Sequence, residues 1–248
     1  MKEHEELPIN LRDYFAAKAM QVLIELNPRS NRIEIAKSSY IMADAMCAIG
    51  VGMKVLIACE FSGIVREAFK ARGHDAWSCD LLPTEIEGQH IQGDVLEILN
   101  DGWDLMIAHP PCTHLAVAGA AWWKEKQKNG IQQKSINFFM KLINAPINKV
   151  CVENPPGIMT KTYRKPDQYI EPYHFGHEYK KKTGLWLKNL PILLYTKIVI
   201  PESYWSQPQG MAYKNKSMKL NSTGGHRSEK IRGRTFQGIA NAMAEQWG

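Results

Sequence analysis

The apolar residues change their spacing near position 50. Before it, Leu11, Tyr14, Phe15, Ala19, Val22, Leu23 and Leu26 recur every three or four residues, and Ile35, Ser39, Ile41, Met42, Ala45 and Met46 trace a second such stripe. That spacing lines one face of an α-helix. The Asn27-Pro-Arg-Ser-Asn31 stretch between the two stripes reads as a turn. Residues 1–52 are therefore expected to form a helical hairpin that must pack on something, because two short helices build no core alone. Gly50-Val-Gly52 joins this appendage to a new start at Met53.

After Met53, short apolar runs alternate with helical spacing. Lys54–Ala58 reads as a strand, Cys59–Gly63 as a turn, and Ile64–Arg72 as an amphipathic helix stopped by Gly73. A second strand, Ala76–Cys79, ends in Asp80, and a third, His90–Gln92, ends in Gly93-Asp94. The run after Asp104 reads as a buried parallel strand leaving through His109-Pro-Pro-Cys112, where the prolines force an extended exit. A helix is expected over Ile131–Ile143, then a fifth strand over Lys149–Val152 that ends in Glu153-Asn154-Pro155-Pro156-Gly157. This alternation predicts an α/β fold with a Rossmann-like sheet, in which ligands collect at the C-terminal ends of the strands.

Several chemically capable side chains fall at those ends. Cys112 stands just past the fourth strand; the plainer reading of a lone cysteine is a buried structural one. Asp80 lies where an acid accepts hydrogen bonds from a ribose diol. Asp94 either caps the helix that follows it or accepts a hydrogen bond from an adenine amino group. Glu153 is expected to be exposed at its strand end, beside the Cys112 loop. The stretch from Thr113 to Gly130, with Trp122, Trp123 and then lysines, reads as a lid over a substrate or, more simply, as the start of a helix.

Composition narrows the class of protein. The chain has 248 residues, room for one sizeable domain plus the appendage, and its 44% hydrophobic and 23% charged content is ordinary for a globular protein. No apolar run is long enough to span a bilayer, and the Met1-Lys-Glu-His-Glu-Glu6 start lacks the layout of a signal peptide, so a cytoplasmic protein with no membrane partner is expected. The five cysteines are odd in number and never spaced Cys-x-x-Cys, which suggests neither a disulfide framework nor a metal site. Residues 1–123 carry ten Lys/Arg against seventeen Asp/Glu, whereas residues 124–234 carry twenty-one against seven. That asymmetry, with Trp122, Trp123, Tyr163, Tyr169 and Trp205 among the lysines, suits a polyanion-facing surface; the alternative is a solvated lysine-rich face.

Taken together, the blocks from Met53 to the end resemble the DNA cytosine-5 methyltransferase family in the compact form found in bacteriophages. Phe61-Ser62-Gly63 matches the family's Phe-x-Gly turn, Asp80 and Asp94 its cofactor-holding acids, Pro111-Cys112 its nucleophile block, and Glu153-Asn154 its Glu-Asn pair. Arg234-Thr-Phe-Gln-Gly-Ile-Ala-Asn-Ala-Met243 resembles its closing blocks. The segment Leu11–Met20 is similar to a small helical protein of bacteriophage genomes without an assigned role.

The resemblance implies an S-adenosylmethionine-dependent methyltransferase sheet over 53–248 and double-stranded DNA as partner. It implies Phe61, Ser62, Gly63, Asp80, Asp94, Pro110 and Asn241 around the cofactor, S-adenosyl-L-methionine. Cys112 would add as a thiolate to cytosine C6, Glu153 would act as the acid at N3, and Asn154 would hold the loop. No residue is assigned to remove the C5 proton. The cytosine must leave the duplex for this chemistry, and Trp122 or Trp123 would help fill the gap. Lys124, Lys182, Arg232 and Arg234 complete the expected DNA contacts.

The chain also departs from the family pattern. Where the family carries a Gln-x-Arg-x-Arg block, the Phe175-Gly176 alignment places Tyr179, Lys181 and Thr183, so the contact to the cytosine O2 falls to Lys181 or Lys182. Residues 189–232 form a very small recognition segment, which implies short or relaxed sequence specificity. Three rival readings remain. One is a thymidylate-synthase-like enzyme with the same Pro-Cys nucleophile. Another is an amino-methyltransferase acting on cytosine N4 or adenine N6, for which His109-Pro-Pro-Cys112 is the wrong block. The last is a catalytically degenerate fold that binds DNA or modulates a partner.

Overall fold

The computed structural model of the protein describes residues 11–26, 28, 31–49, 52–117, 123–201, 203–204, 221–222 and 233–248. The chain begins with two helices, α1 (Leu11–Leu26) and α2 (Arg32–Ile49), packed against each other as a hairpin. Small and β-branched residues fill the seam, with Ala16, Ala19, Ile35 and Ala43 buried, and the Tyr40 hydroxyl donates to Asp13 Oδ1 at 3.1 Å. Val22, Leu26, Ile41 and Met42, which the apolar spacing assigns to the packed face, are instead exposed. The helices meet mainly on small residues, and these four large ones point outward.

The rest is an α/β layer structure. Its strands are β1 (Lys54–Ala58), β2 (Asp75–Asp80), β3 (His90–Gln92), β4 (Leu105–Ala108), β5 (Lys149–Asn154), β6 (Gln168–Ile170), β7 (Tyr179–Lys180) and β8 (Thr183–Lys188). Seven of them form one sheet in the order β3-β2-β1-β4-β5-β8-β6. The first five run parallel, and β8 lies antiparallel between β5 and β6. The chain winds outward from β1 in both directions, so a switch point falls between β1 and β4, where an open α/β sheet leaves a crevice at its carboxyl edge.

Helix α3 (Ile64–Lys70) follows β1, α4 (Trp123–Lys128) and α5 (Ile131–Ile143) follow β4, α6 (Met159–Thr162) follows β5, and α7 (Gln237–Trp247) closes the chain. Alternation along β1 sends Val55 and Ile57 to the face covered by Val65 and Phe69 of α3 and by Ile239, Met243 and Trp247 of α7. Leu56 and Ala58 go to the other face, beneath Ile136, Phe139 and Leu142 of α5. Strands covered on both sides must be apolar at every position, which is why the inner strands read as unbroken hydrophobic runs.

One expectation changes here. The fifth strand continues through Glu153 and Asn154, which pair with Leu185 and Gly184 of β8, so Glu153 ends inside the sheet rather than exposed beyond it. The recognition segment is also tied to the body: β9 (Ser203–Tyr204) pairs with β7, and β10 (Asn221–Ser222) pairs with β9. Among the described residues, no helix is long and apolar enough to cross a membrane.

Candidate active site

Strand β4 is buried throughout and delivers the chain to the switch point. The His109 amide extends the pairing to β1 by donating to the Ala58 carbonyl at 2.9 Å. Pro110 and Pro111 then lead out to Cys112, whose carbonyl accepts from Leu115 and Ala116 at 3.0 and 2.9 Å and closes a tight turn. The loop is fastened to β5, where the Asn154 amide, itself buried, donates to the Pro110 carbonyl at 2.9 Å. Further along, Val117 donates to Pro156 and Ile158 to Leu115. The two loops approach so closely that a Cβ at Gly157 would collide with the Leu115 carbonyl, so only glycine fits.

The four cysteines with described side chains are not equivalent. Burial pushes the Cys59 thiol far up, and the Asp80, Cys79 and Asp94 charges add to it. Cys79 is pushed up to about 11 by burial and then by the Asp80, Asp94 and Glu97 carboxylates. Cys151, wholly buried inside β5, is also pushed up, by burial and by Glu153 and Asp167. Cys112 alone among the four is exposed. A thiol must ionise and reach its target to act as a nucleophile; ionisation is opposed at Cys59, Cys79 and Cys151, and burial also hides Cys79 and Cys151.

Beside this loop is a recess lined by His109, Glu153, Lys181 and Thr183, with Thr235 and Phe236 opposite. Glu153 Oε2 lies 2.8 Å from His109 Nδ1, with only 16% of the Glu153 side chain exposed. Burial pushes the Glu153 carboxyl up, but the His109 hydrogen bond, the Lys181 charge and the His109 charge outweigh it. The net effect holds the group below the ordinary carboxylate range. Glu153 and Lys181 thus share one recess, and His109 joins them as a residue to which the sequence assigned no role.

At the ends of β1 to β3 lies the expected cofactor edge. Phe61, Ser62 and Gly63 form the turn, and Gly63 adopts φ 76°, where a Cβ would also lie 2.8 Å from Arg66 Nη2. The unforeseen member is Glu60. Its buried carboxylate accepts from the Val65 amide at 2.8 Å, the Ser62 hydroxyl at 3.0 Å and the Arg66 amide at 3.3 Å, and so fills the N-terminus of α3. In nucleotide folds that use this helix end for phosphate, the position is left open for the ligand's own anion. Here a protein carboxylate already occupies it.

Asp80 Oδ1 accepts from the Leu82 amide at 2.9 Å, and Asp94 Oδ1 caps the 3-10 turn Val95–Glu97 through the Leu96 amide at 3.0 Å. Both carboxylates act on the Cys59 thiol, which places them at one edge. Asp94 therefore has the capping role that the sequence left open. Pro110 is held by Asn154 as described. Asn241 stands apart: it is exposed on α7, its amide oxygen accepts from Gln237 at 2.8 Å, and it is turned about 200° from Ile239 around the helix. Ile239 and Met243 face the recess and Asn241 does not. No group of three His, Cys, Asp or Glu among the described residues is arranged to hold a metal ion.

The expected DNA contacts scatter more widely. Trp123 opens α4, half-buried, and Lys124 is exposed beside it, so this part of the supposed lid is a short helix. Lys126 of the same helix donates to the Thr113 carbonyl at 2.9 Å and ties α4 to the Cys112 loop. Lys182 is exposed, with its ammonium 4.5 Å from the Tyr169 ring centroid. Arg234 is engaged internally, both of its contacting nitrogens lying 2.8 Å from the Glu85 carboxylate. Trp122 and Arg232 lie outside the described residues. A scan of protein-family models finds no match, and a search of curated proteins finds none either.

Proposed function

We propose that this chain is an S-adenosylmethionine-dependent DNA cytosine-5 methyltransferase. The observation that carries the reading is an exposed thiol, Cys112, on the loop after β4 and a nearly buried carboxyl, Glu153, at the end of β5, with that loop and strand end joined by the Asn154–Pro110 bond. Cytosine C5 becomes nucleophilic only after C6 has been attacked. Cys112 Sγ adds to C6, the displaced electron pair moves toward N3, and Glu153 hydrogen-bonds there. A base seated over Glu153 removes its remaining solvent, and that desolvation drives the carboxyl up toward the protonated form this contact needs. Lys181, in the same recess, supplies a positive charge for O2. Once C5 carries the methyl group, loss of its proton to a base would let the C6–S bond break and return the thiolate, with the N3 proton going back to Glu153.

The cofactor supplies an electrophilic methyl group. The filled end of α3 fits a cofactor that brings no phosphate to that position: a nucleoside sulfonium meets that condition and a dinucleotide does not. Asp80 would hold its ribose, beside the Phe61–Gly63 turn. Exposed Lys124, Lys128, Lys161, Lys165 and Lys182 give the surface a charge suited to a phosphate backbone.

Methyl transfer from labelled S-adenosylmethionine to unmethylated duplex DNA, with nucleoside analysis of the product, tests this directly. Wild type is expected to yield 5-methylcytosine, and Cys112→Ala to yield none. A duplex carrying 5-fluorocytosine should trap a covalent adduct with wild type only, since fluorine cannot leave as a proton does. Methylation that survives Cys112→Ala would overturn C6 addition and point to an amino-methyltransferase. Cofactor and DNA binding without transfer would point to a binding protein.

A further inference from the structure

His109 is 7% exposed at its side chain, and three contacts or constraints fix it. Its amide is bonded to the Ala58 carbonyl, its Nδ1 lies 2.8 Å from Glu153 Oε2, and the proline that follows restricts its backbone to extended conformations. Because Glu153 is held ionised, Nδ1 carries the hydrogen of that bond. Nε2 is buried without a partner, on a ring that lines the recess. Neighbouring residues repeat the connection: His109 bonds Glu153, and Pro110 bonds Asn154. Two consecutive positions of the nucleophile loop are thus clamped to two consecutive positions of β5.

We propose that His109 is the positioning residue of the acid, turning Glu153 Oε2 onto its imidazole so that the Oε1 edge faces the base over Cys112. The proposal rests on the reading of Glu153 as that acid. The titratable groups lining the recess are His109, Glu153 and Lys181; β8 contributes Thr183, the stretch before α7 contributes Thr235 and Phe236, and β6, Pro172 and α7 contribute apolar side chains. Lys181 contributes charge to Glu153, and among these groups only His109 contributes a hydrogen bond with a defined direction. Orientation of the carboxyl therefore falls to His109.

Three proteins test this: wild type, His109→Ala and His109→Asn, whose side-chain N–H stands where Nδ1–H stood. Turnover and KM are measured on duplex DNA, and the Glu153 carboxyl is titrated by carbon NMR, assigned with Glu153→Gln. Losing a hydrogen bond to a charged group should lower kcat roughly 10- to 100-fold in His109→Ala, with KM for the cofactor little changed. The Glu153 midpoint should rise in that variant. His109→Asn should recover most of the rate and return the midpoint toward wild type, which a merely structural histidine would not predict. An unmoved Glu153 midpoint in His109→Ala, or a His109→Asn as slow as His109→Ala, would overturn the proposal. If wild type transfers no methyl group to DNA, the methyltransferase reading fails, and the Glu153 midpoints still decide whether His109 holds the carboxyl.

Discussion

A proline carbonyl buried beside an exposed thiol needs a donor, and the Asn154 amide provides it. Asn154 Oδ1 is itself buried without a partner, so the residue is kept at a cost that the Pro110 bond must offset. Asn154→Ala removes both the bond and the orphan oxygen and should destabilise the fold by about 1–3 kcal/mol. Asn154→Asp keeps the size but sets an acceptor against the Pro110 carbonyl, so it should cost more than alanine. Urea unfolding of the two variants checks the order; equal costs would mean that packing, not the bond, is what Asn154 supplies. Cys112, Glu153 and Asn154 were legible in the sequence because each sits in a short run of distinctive residues at a strand end. His109 was not, because its partner is 44 residues away and nothing local distinguishes it from any histidine before a proline. Glu60 was missed for a different reason: its partners are backbone amides, which no residue type announces.

At the level of elements, the short helix α3 governs the strand edge proposed to hold the cofactor. Its N-terminus is neutralised by Glu60, and from its first turn Arg66 runs inward, wholly buried. The Arg66 guanidinium bonds the Ser78 hydroxyl at 2.9 Å, the Thr84 hydroxyl at 3.2 Å and the Ile86 carbonyl at 2.6 Å. It pins β2 and the loop after Asp80 to the helix, which fixes where Asp80 stands. Glu60→Ala should cost about 1–2 kcal/mol through the lost cap and should weaken S-adenosylmethionine binding, because α3 and the Phe61–Gly63 turn shift together. Calorimetric titration with the cofactor measures the second effect; unchanged affinity would separate Glu60 from the cofactor edge. The strands β1, β4 and β5 and helix α5 were readable since burial on both faces makes runs and burial on one face makes a 3.6-residue stripe. Strand β8 escaped because Thr183-Gly-Leu-Trp-Leu-Lys188 has neither pattern and is defined by its neighbours β5 and β6.

At the scale of the whole molecule, His74, His174 and His177, among the described residues, act as fixed acceptors where segments meet. The Met53 amide donates to His74 Nδ1 at the start of β1, the Glu171 amide to His174 Nδ1 before β7, and the Gly238 amide to His177 Nε2 at the start of α7. Each bond requires a neutral ring. Burial lowers all three from the ordinary 6.5, with Arg72 and Lys149 adding to the effect at His74. A base whose folded value is depressed binds its proton more readily when unfolded. The stability it contributes is therefore present above 6.5 and is lost as pH falls through the folded values. Glu171, pushed up by burial, acts in the opposite sense only at lower pH, near the carboxylate range. The thermal midpoint should thus fall by roughly a few degrees between pH 7.5 and 5.5. His177→Gln, whose amide oxygen accepts from Gly238 without titrating, should reduce that slope while remaining folded at neutral pH. A midpoint that is flat over this range in wild type would show that the three acceptor bonds do not set the acid limit of the fold. A slope unchanged in His177→Gln would move that limit away from the junction of α7 with the sheet.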